Sequence, residues 1–264
     1  MTRRVTLPNL RRLMLEGIGG YIEAVVCQIA TPLLETLDIR LFWQHAFFVP
    51  GLFQFVNITE TLRFDRAKFK FSEFGVCVDF YPRVETKMYP LSISIYCDNH
   101  NWQVSAAAQV FNSLGQNFST VEHLTLEHRN SDRAVVWRLR YWRSKRNDEV
   151  DRTKWRELLR PFNNVKTLHV GSGLVKELSR IIRPVDGELV LELLPELQEL
   201  AYFGSSDLGS VLMPFIDARQ NTSHPVTLIR PIPRSATPLS RSLRLTMEGR
   251  IEALERRASI FEPG

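Results

Sequence analysis

The chain lacks any long apolar run. No window of its 264 residues approaches the roughly 20 uninterrupted apolar residues that a membrane-spanning helix needs. Residues 1–5 lead into a patterned segment and not into the apolar core of a secretory signal. We therefore expect a protein that works inside the cell, in the cytoplasm or the nucleus.

Metal-binding and disulfide patterns are absent as well. The three cysteines, Cys27, Cys77 and Cys97, form no CxxC pair, and their odd number argues against a disulfide framework. The six histidines form neither an HExxH motif nor a Cys/His pairing of zinc spacing. These absences predict a protein with no metal and no cofactor.

Catalytic motifs are missing too. The turn Gly171-Ser172-Gly173 lacks the GxSxG elbow, the Walker lysine and the GxGxxG pattern. The paired carboxylates Glu196 and Glu199 have no apolar pocket evident that would tune a pKa for acid–base work. We therefore expect no catalytic residues and no enzyme. An α/β enzyme remains an alternative that requires a deep pocket at the C-terminal ends of the strands.

The positive charge is concentrated in one segment. Seven basic residues and one acid lie within 129–146, which exceeds the whole net charge of +5, so the rest of the chain is close to neutral. Aromatic residues alternate with these cations, a composition that suits single-stranded nucleic acid or an anionic membrane surface. A nucleic-acid- or membrane-associated scaffold is therefore the alternative function. Its candidate residues are Trp137, Arg138, Arg140, Tyr141, Trp142, Arg143, Lys145 and Arg146.

What the chain does contain is an internal repeat. An apolar residue, two mostly polar residues, Leu, one residue and another apolar residue recur six times. The first two spacings between the anchor leucines, 24 and 25 residues, fall in the range of about 20–29 residues for leucine-rich repeats. The occurrences are Leu10-x-x-Leu13-x-Leu15, Leu34-x-x-Leu37-x-Ile39, Thr59-x-x-Leu62-x-Phe64, Val121-x-x-Leu124-x-Leu126, Val165-x-x-Leu168-x-Val170 and Leu197-x-x-Leu200-x-Tyr202.

Segments with helical spacing lie between these units, over 21–30, 49–56, 103–114, 153–162, 174–182 and 211–218. Alternating strands and helices indicate parallel strands joined by helical crossovers. We therefore predict an α/β fold of the leucine-rich-repeat solenoid type, an irregular horseshoe of parallel strands with helices on its convex side. A doubly wound α/β domain with coincidental LxxLxL strands is the alternative.

Three segments interrupt or follow the repeat. Residues 68–81 are dense in strand formers and predict inserted strands, with a hairpin turn near 72–75, and residues 129–149 predict a basic loop. Together with the repeats they make up a domain over 1–230. Residues 231–264 predict a linker and a C-terminal helix, because Met247, Ile251 and Leu254 recur at steps of four and three residues.

The repeat also predicts a binding face. Period-two geometry turns the residues beside the apolar anchors toward the concave side, which solenoids commonly use to hold a partner. This face mixes charges of both signs and suits a polar protein partner, although any single residue on it could simply be solvated. Its members are Arg12, Met14, Thr36, Asp38, Arg40, Thr61, Arg63, His123, Thr125, Glu127, Thr167, His169 and Glu199.

The sequence resembles the leucine-rich-repeat region of the F-box and F-box-like proteins of mushroom-forming fungi, over roughly the first 230 residues. The resemblance is carried by the opening Leu7-Pro8-Asn9-Leu10-Arg11-Arg12-Leu13, by 74–82, by Trp102-Gln103-Val104-Ser105, by 121–126, by 151–162, by Leu193-Leu194-Pro195-Glu196-Leu197-Gln198, by 215–220 and by His224-Pro225-Val226.

The resemblance implies the substrate-recognition arm of a ubiquitin ligase, in which an F-box recruits Skp1 and a cullin while the repeats hold a protein substrate. In that family the F-box precedes the repeats, whereas the first repeat here begins at Leu7. Recruitment of Skp1 and the cullin is therefore expected only if an F-box exists outside this chain. The expected function is a protein–protein interaction module, either such an adaptor or a remnant without its F-box.

Overall fold

The computed structural model describes residues 4–59, 61–62, 64–82, 89–97, 100–113, 115–128, 148–182, 193–203, 207–220 and 225–229. All of these belong to one compact unit, Met1–Arg230. The linker and C-terminal helix predicted for 231–264 lie outside the described residues, and so does most of the predicted basic loop.

Strands and helices alternate along most of the described chain. The strands are β1 Val5–Thr6, β2 Arg12–Gly17, β3 Ile29–Ala30, β4 Thr36–Phe42, β5 Arg66–Phe71, β6 Gly75–Tyr81, β7 Leu91–Tyr96, β8 His123–His128, β9 Thr167–Val170, β10 Glu199–Tyr202 and β11 Thr227–Ile229. The helices are α1 Gly19–Gln28, α2 Pro50–Ile58, α3 His100–Ser113, α4 Asp148–Leu159, α5 Val175–Ile181 and α6 Asp207–Gln220, with a 3-10 helix at Gly115–Thr120.

Nine of these strands form one mixed sheet, in the order β11-β10-β9-β8-β5-β6-β7-β4-β2. Strand β6 pairs antiparallel with both of its neighbours, β5 and β7, whereas all the other pairs in the sheet are parallel. The short strands β1 and β3 pair separately. One reversed strand therefore lies in the middle of an otherwise parallel sheet.

This arrangement corrects the predicted solenoid. A curled solenoid stacks each unit on the preceding one in the same direction, but β4 pairs with β7 and not with β5, the next strand of the sheet along the chain. Strand β5 instead pairs with β8 and with the reversed β6. The fold is α/β with a nine-stranded mixed sheet, so the prediction of a parallel leucine-rich-repeat horseshoe is wrong.

Five of the six repeat units are strands, namely β2, β4, β8, β9 and β10. The unit Thr59-x-x-Leu62-x-Phe64 is not a strand. Leu62 and Phe64 are buried in the segment between α2 and β5, so they satisfy the apolar pattern without strand geometry. An apolar alternation specifies which side chains are buried, and it does not specify the hydrogen bonds of the backbone.

The six described helices share one side of the sheet. Every crossover between parallel strands advances in the same direction along the sheet, namely β2 to β4, β4 to β5, β7 to β8 and β8 through to β11. Because such crossovers are right-handed, their helices pack on the same face. One core unites the inner face of the sheet with helix side chains such as Ile22, Leu52, Val104, Leu158 and Leu212.

The core beneath the middle of the sheet is aromatic. Phe80 of β6 has its ring centroid 4.6 Å from that of Phe64, 5.0 Å from Phe118 and 5.9 Å from Phe111. Phe69 of β5 packs edge-on against Phe111 and Phe162, at 5.3 and 5.6 Å. The rings fill the space between β5, β6 and helix α3, which carries Phe111.

The turn between β5 and β6 is tied to the start of α3. Gln103 is fully buried, and its side-chain amide donates to the carbonyls of Ser72 and Cys97, at 2.9 and 2.6 Å. Gly75, with φ +157°, lies where an added Cβ would collide with the Ile95 carbonyl oxygen. The hairpin thus requires glycine at this position for a close approach of two backbones.

Candidate interaction surface

The side of the sheet opposite the helices carries polar side chains, and we call it the open face. Along β4, for example, Leu37, Ile39 and Leu41 are buried in the core, while Asp38 and Arg40 between them are only half-buried. The same alternation runs along β2, β5, β7 and β8. The open face is therefore a continuous polar surface over strands from distant parts of the chain.

The structure brings most of the predicted binding residues onto this face. Two are not placed there: Thr61 lies in a turn after α2, where its hydroxyl donates to the Leu34 carbonyl, and Arg63 lies outside the described residues. All eight residues of the basic-aromatic alternative also lie outside the described residues. Those on the open face are Arg12, Met14, Thr36, Asp38, Arg40, His123, Thr125, Glu127, Thr167, His169 and Glu199.

Strand register divides these residues into two groups. One row runs from Met14 through Asp38 on β4 to Ser92 on β7, and it continues through Asp79 to Lys68 on β5. Strands β5, β6 and β7 thus separate the group on β2 and β4 from the group on β8–β10. The predicted binding face does not include the residues that these strands add to the open face, because it is drawn only from the LxxLxL units. They include Arg66, Lys68, Lys70, Cys77, Asp79, Ser92 and Ser94.

A buried ion pair occupies the middle of the open face. The Lys70 ammonium lies 2.5 Å from Asp79 Oδ2, and the Ser92 hydroxyl donates to Oδ1 at 2.8 Å. The Asp79 side chain is only 5% exposed, and that of Lys70 is 29% exposed. Burial opposes the charge on Lys70, but the charge and hydrogen bond of Asp79 outweigh it, so the pKa of Lys70 is raised.

Cys77 lies beside this pair. Burial, and then the negative charge of Asp79, raise the pKa of the Cys77 thiol. Since the thiolate is the nucleophilic form, this environment works against a reactive cysteine. The Lys70 ammonium also lies 5.4 Å from the ring centroid of Tyr89, and this ring shields Lys70 further from solvent. The pair is therefore suited to holding β5 and β6 together more than to chemistry.

The group on β2 and β4 is ionic. The Arg40 guanidinium lies 3.1 Å from Asp38 and 3.6 Å from Glu16. Burial would lower the pKa of Arg40, but Asp38 and, to a smaller extent, Tyr96 and Glu16 raise it overall. The Arg40 guanidinium is thus shared between two carboxylates, and with Arg12 the group carries as many cations as carboxylates.

The group on β8–β10 contains two histidines. Burial, and then the proximity of His123, lower the pKa of His169, while Glu199 and Glu127 act in the opposite direction. The ring of Phe203 meets His169 edge-on, with centroids 6.2 Å apart. Lys68 pairs with Glu127 at 2.8 Å. This half of the open face is therefore largely charge-compensated, which does not favour a polyanion.

The open face ends in exposed aromatic side chains at the carboxyl ends of β4 and β7. Phe42 and Tyr96 face each other across the two strands, with centroids 6.2 Å apart, and are 45% and 41% exposed. Beside them Trp43 stacks on Trp102 of α3 at 5.1 Å, and these rings are 38% and 47% exposed. We call these four residues the aromatic edge.

The sequence prediction does not include the aromatic edge, although its signal is present. Phe42 lies two residues beyond Arg40, and Tyr96 lies two residues beyond Ser94, so the same period-two rule places both on the open face. The prediction ends the alternation at the repeat anchors and so leaves them out. Trp102 comes from a helix, and no strand rule identifies it.

Among the described residues, no group of three or more His, Cys, Asp or Glu side chains could hold a metal ion. A cleft of about 370 Å³ lies between α5 and α6, lined by residues such as Lys176, Arg180 and Phe215. It is on the helical side and not at the strand ends, where the enzyme alternative requires a pocket.

No family model, characterised protein or solved structure matches this chain. The resemblance to fungal F-box proteins therefore stays a prediction. No helix in the described part of the chain is long and apolar enough to cross a membrane.

Proposed function

We propose that the chain is a protein–protein interaction module that binds a polar protein through its open face. The observation that carries the proposal is the continuity of a polar sheet surface with the exposed aromatic edge. Interfaces combine these two features, since a few Trp, Tyr and Arg residues supply most of the binding energy and polar surroundings supply specificity. Residues of this kind on the surface include Tyr96, Trp102 and Arg40.

The charges of the open face support a protein partner over a polyanion. Three of its cations are paired with carboxylates, in Arg40–Asp38, Lys68–Glu127 and Lys70–Asp79. Neutralising nucleic-acid phosphates requires cations that can exchange their counterions for phosphate. A surface with interleaved charges of both signs instead favours a partner with a complementary pattern.

We further propose, from the resemblance to fungal F-box proteins, that the bound protein is a substrate presented to a ubiquitin ligase. The chain would then supply recognition, and Skp1 and a cullin would join it only through an F-box. This finer proposal makes a separate prediction, because Skp1 must co-purify with any full-length form that carries an F-box.

The test is quantitative capture of partners from fungal extract by the tagged chain. We expect a set of proteins retained by the wild type and lost, by roughly tenfold or more, when Tyr96 and Trp102 are changed to Ala. Met213→Ala is the matched control, because Met213 is a similarly exposed apolar side chain, at 40%, on helix α6. Equal capture by all three proteins, or none above a tag-only sample, contradicts the proposal.

A further inference from the structure

Strand β2 forms one edge of the nine-stranded sheet, and no described strand pairs with its outer side. The edge at the other end is the three-residue strand β11, whereas β2 has six residues. Natural proteins usually protect such edges with proline, bulges or inward-pointing charges, because unpaired backbone groups attract another strand. Strand β2 has no proline, and its regular register with β4 shows no bulge.

The register with β4 defines which backbone groups face outward. The Thr36 amide donates to the Arg11 carbonyl at 3.0 Å, and Arg12 is the register partner of Thr36. In a parallel ladder the residues of one strand point their amide and carbonyl alternately to either side. Residues 11, 13, 15 and 17 therefore bond toward β4, and the outward groups belong to Arg12, Met14 and Glu16.

These three outward residues are complementary to themselves. When a second β2 approaches antiparallel about a two-fold axis at Met14, Met14 meets Met14 of the other copy. Arg12 then meets Glu16, and Glu16 meets Arg12, so two opposite-charge pairs form across the new ladder. All three residues are exposed, Met14 by 58%. The same register that aligns the backbone donors with acceptors thus also aligns the charges.

The core beneath this edge is incompletely covered. Leu10, Leu13, Val25 and Ile29 pack against the core but remain partly exposed, and all of them lie on or beside β2 and α1. Tyr21 of α1 and Ile18 before it are exposed by 56% and 55%. In the two-fold arrangement Leu13 faces Leu15 of the other copy on the inner side, so the apolar layer continues across the junction.

We propose that two copies of this chain associate through antiparallel pairing of their β2 strands, centred on Met14. The result is one sheet continuous through both copies, with Arg12 and Glu16 pairs on the open side and leucines on the inner side. The contact is isologous, as in most two-fold homodimers. It leaves the aromatic edge on β4, β7 and α3 outside the strand pairing, whereas Arg12 and Met14 of the open face take part in it.

The charge pairs provide a direct test with the full chain, by sedimentation velocity over a range of concentrations. Arg12→Glu places the new carboxylate against Glu16 of the other copy twice, and Glu16→Arg places two arginines together. We expect each single variant to associate at least about tenfold more weakly than the wild type. When the two variants are mixed, each acidic residue of the Arg12→Glu chain meets an arginine of the Glu16→Arg chain. The mixture should therefore form a heterodimer more readily than either variant self-associates.

A second variant keeps the test independent of charge. Met14→Pro removes an amide that points outward, while the β2–β4 ladder keeps its bonds, and proline is tolerated on such an edge. We expect a folded, monomeric protein, with folding checked by circular dichroism. A monomeric wild type at all concentrations overturns the proposal. So does a wild-type dimer that persists in both single charge variants and in Met14→Pro, because it would use another surface.

Discussion

Beneath the outer strands of the sheet the core is largely leucine, isoleucine and valine, whereas beneath β5 and β6 it is built on phenylalanine. The outer strands are all parallel to one another, whereas the middle of the sheet contains the reversed strand β6 and a buried ion pair. The repeat therefore accounts for the outer strands of the sheet only. The antiparallel pairing of β6 with β5 and β7 determines the order of the strands.

The largest expected effect concerns the aromatic core. Phe80→Ala should lower the free energy of unfolding by about 3–5 kcal/mol, because several rings lose a packing partner at once. Ile39→Val in the aliphatic flank should cost only about 0.5–1.5 kcal/mol. Urea denaturation of both variants measures the difference, and equal losses would erase the distinction between the two regions.

The buried ion pair should rank next. Asp79→Ala leaves the Lys70 ammonium largely buried without its carboxylate, and we expect a loss of about 3 kcal/mol. Replacing both partners, as Asp79→Leu with Lys70→Met, should recover most of this loss because no charge is then left unpaired. Glu127→Ala on a more exposed pair should cost about 0–1 kcal/mol. A loss of stability from Glu127→Ala as large as that from Asp79→Ala would contradict the larger contribution assigned to the Lys70–Asp79 pair.

A glycine pair compares the hairpin with helix α1. Gly75→Ala should destabilise by about 1–3 kcal/mol, because the new methyl meets the Ile95 carbonyl. Gly20→Ala introduces the same methyl where nothing lies within 4 Å, and inside a helix it should stabilise by roughly 0.5–1 kcal/mol. We expect the midpoint of thermal unfolding to fall for Gly75→Ala and to rise for Gly20→Ala. Shifts of the same sign in both variants would contradict the close approach at Gly75.

The smallest effect depends on pH. Because the pKa of His169 is lowered in the folded state, the unfolded chain binds more protons as the pH falls below about 6.5, the ordinary histidine value. His169 therefore lowers the free energy of unfolding as the pH falls below the ordinary histidine pKa, and it has no such effect at higher pH. His169→Gln should flatten the acid side of the stability profile, measured by urea denaturation at a series of pH values.

The sequence predicted many local elements because burial imposes a period on the chain. Strands β2, β4, β8, β9 and β10 coincide with repeat units, and the six described helices lie at the segments with helical spacing. Strand direction leaves no such period, since Val76, Val78 and Phe80 alternate in the same way in a reversed strand. The order of the sheet therefore could not be derived from the pattern.

The candidate surface was predicted in part for a similar reason. Asp38 and His169 lie beside apolar anchors, so the repeat placed them on the open face. Lys70 and Asp79 come from the hairpin, and only the pairing of β5 with β6 shows that they belong to the same surface. Trp102 reaches Trp43 from a helix, a contact that depends on tertiary packing and not on spacing along either segment.

The pairing of β4 with β7 has a consequence for synthesis of the chain. Strand β4 ends at Phe42, and its neighbour β7 begins only at Leu91, after α2 and the β5–β6 hairpin have been made. During translation the edge of β4 that β7 will occupy is therefore exposed while the ribosome adds that whole stretch. A parallel pair closed over such a distance forms slowly compared with the local hairpin. Newly made chains halted between these two strands are the form in which we expect aggregation to begin.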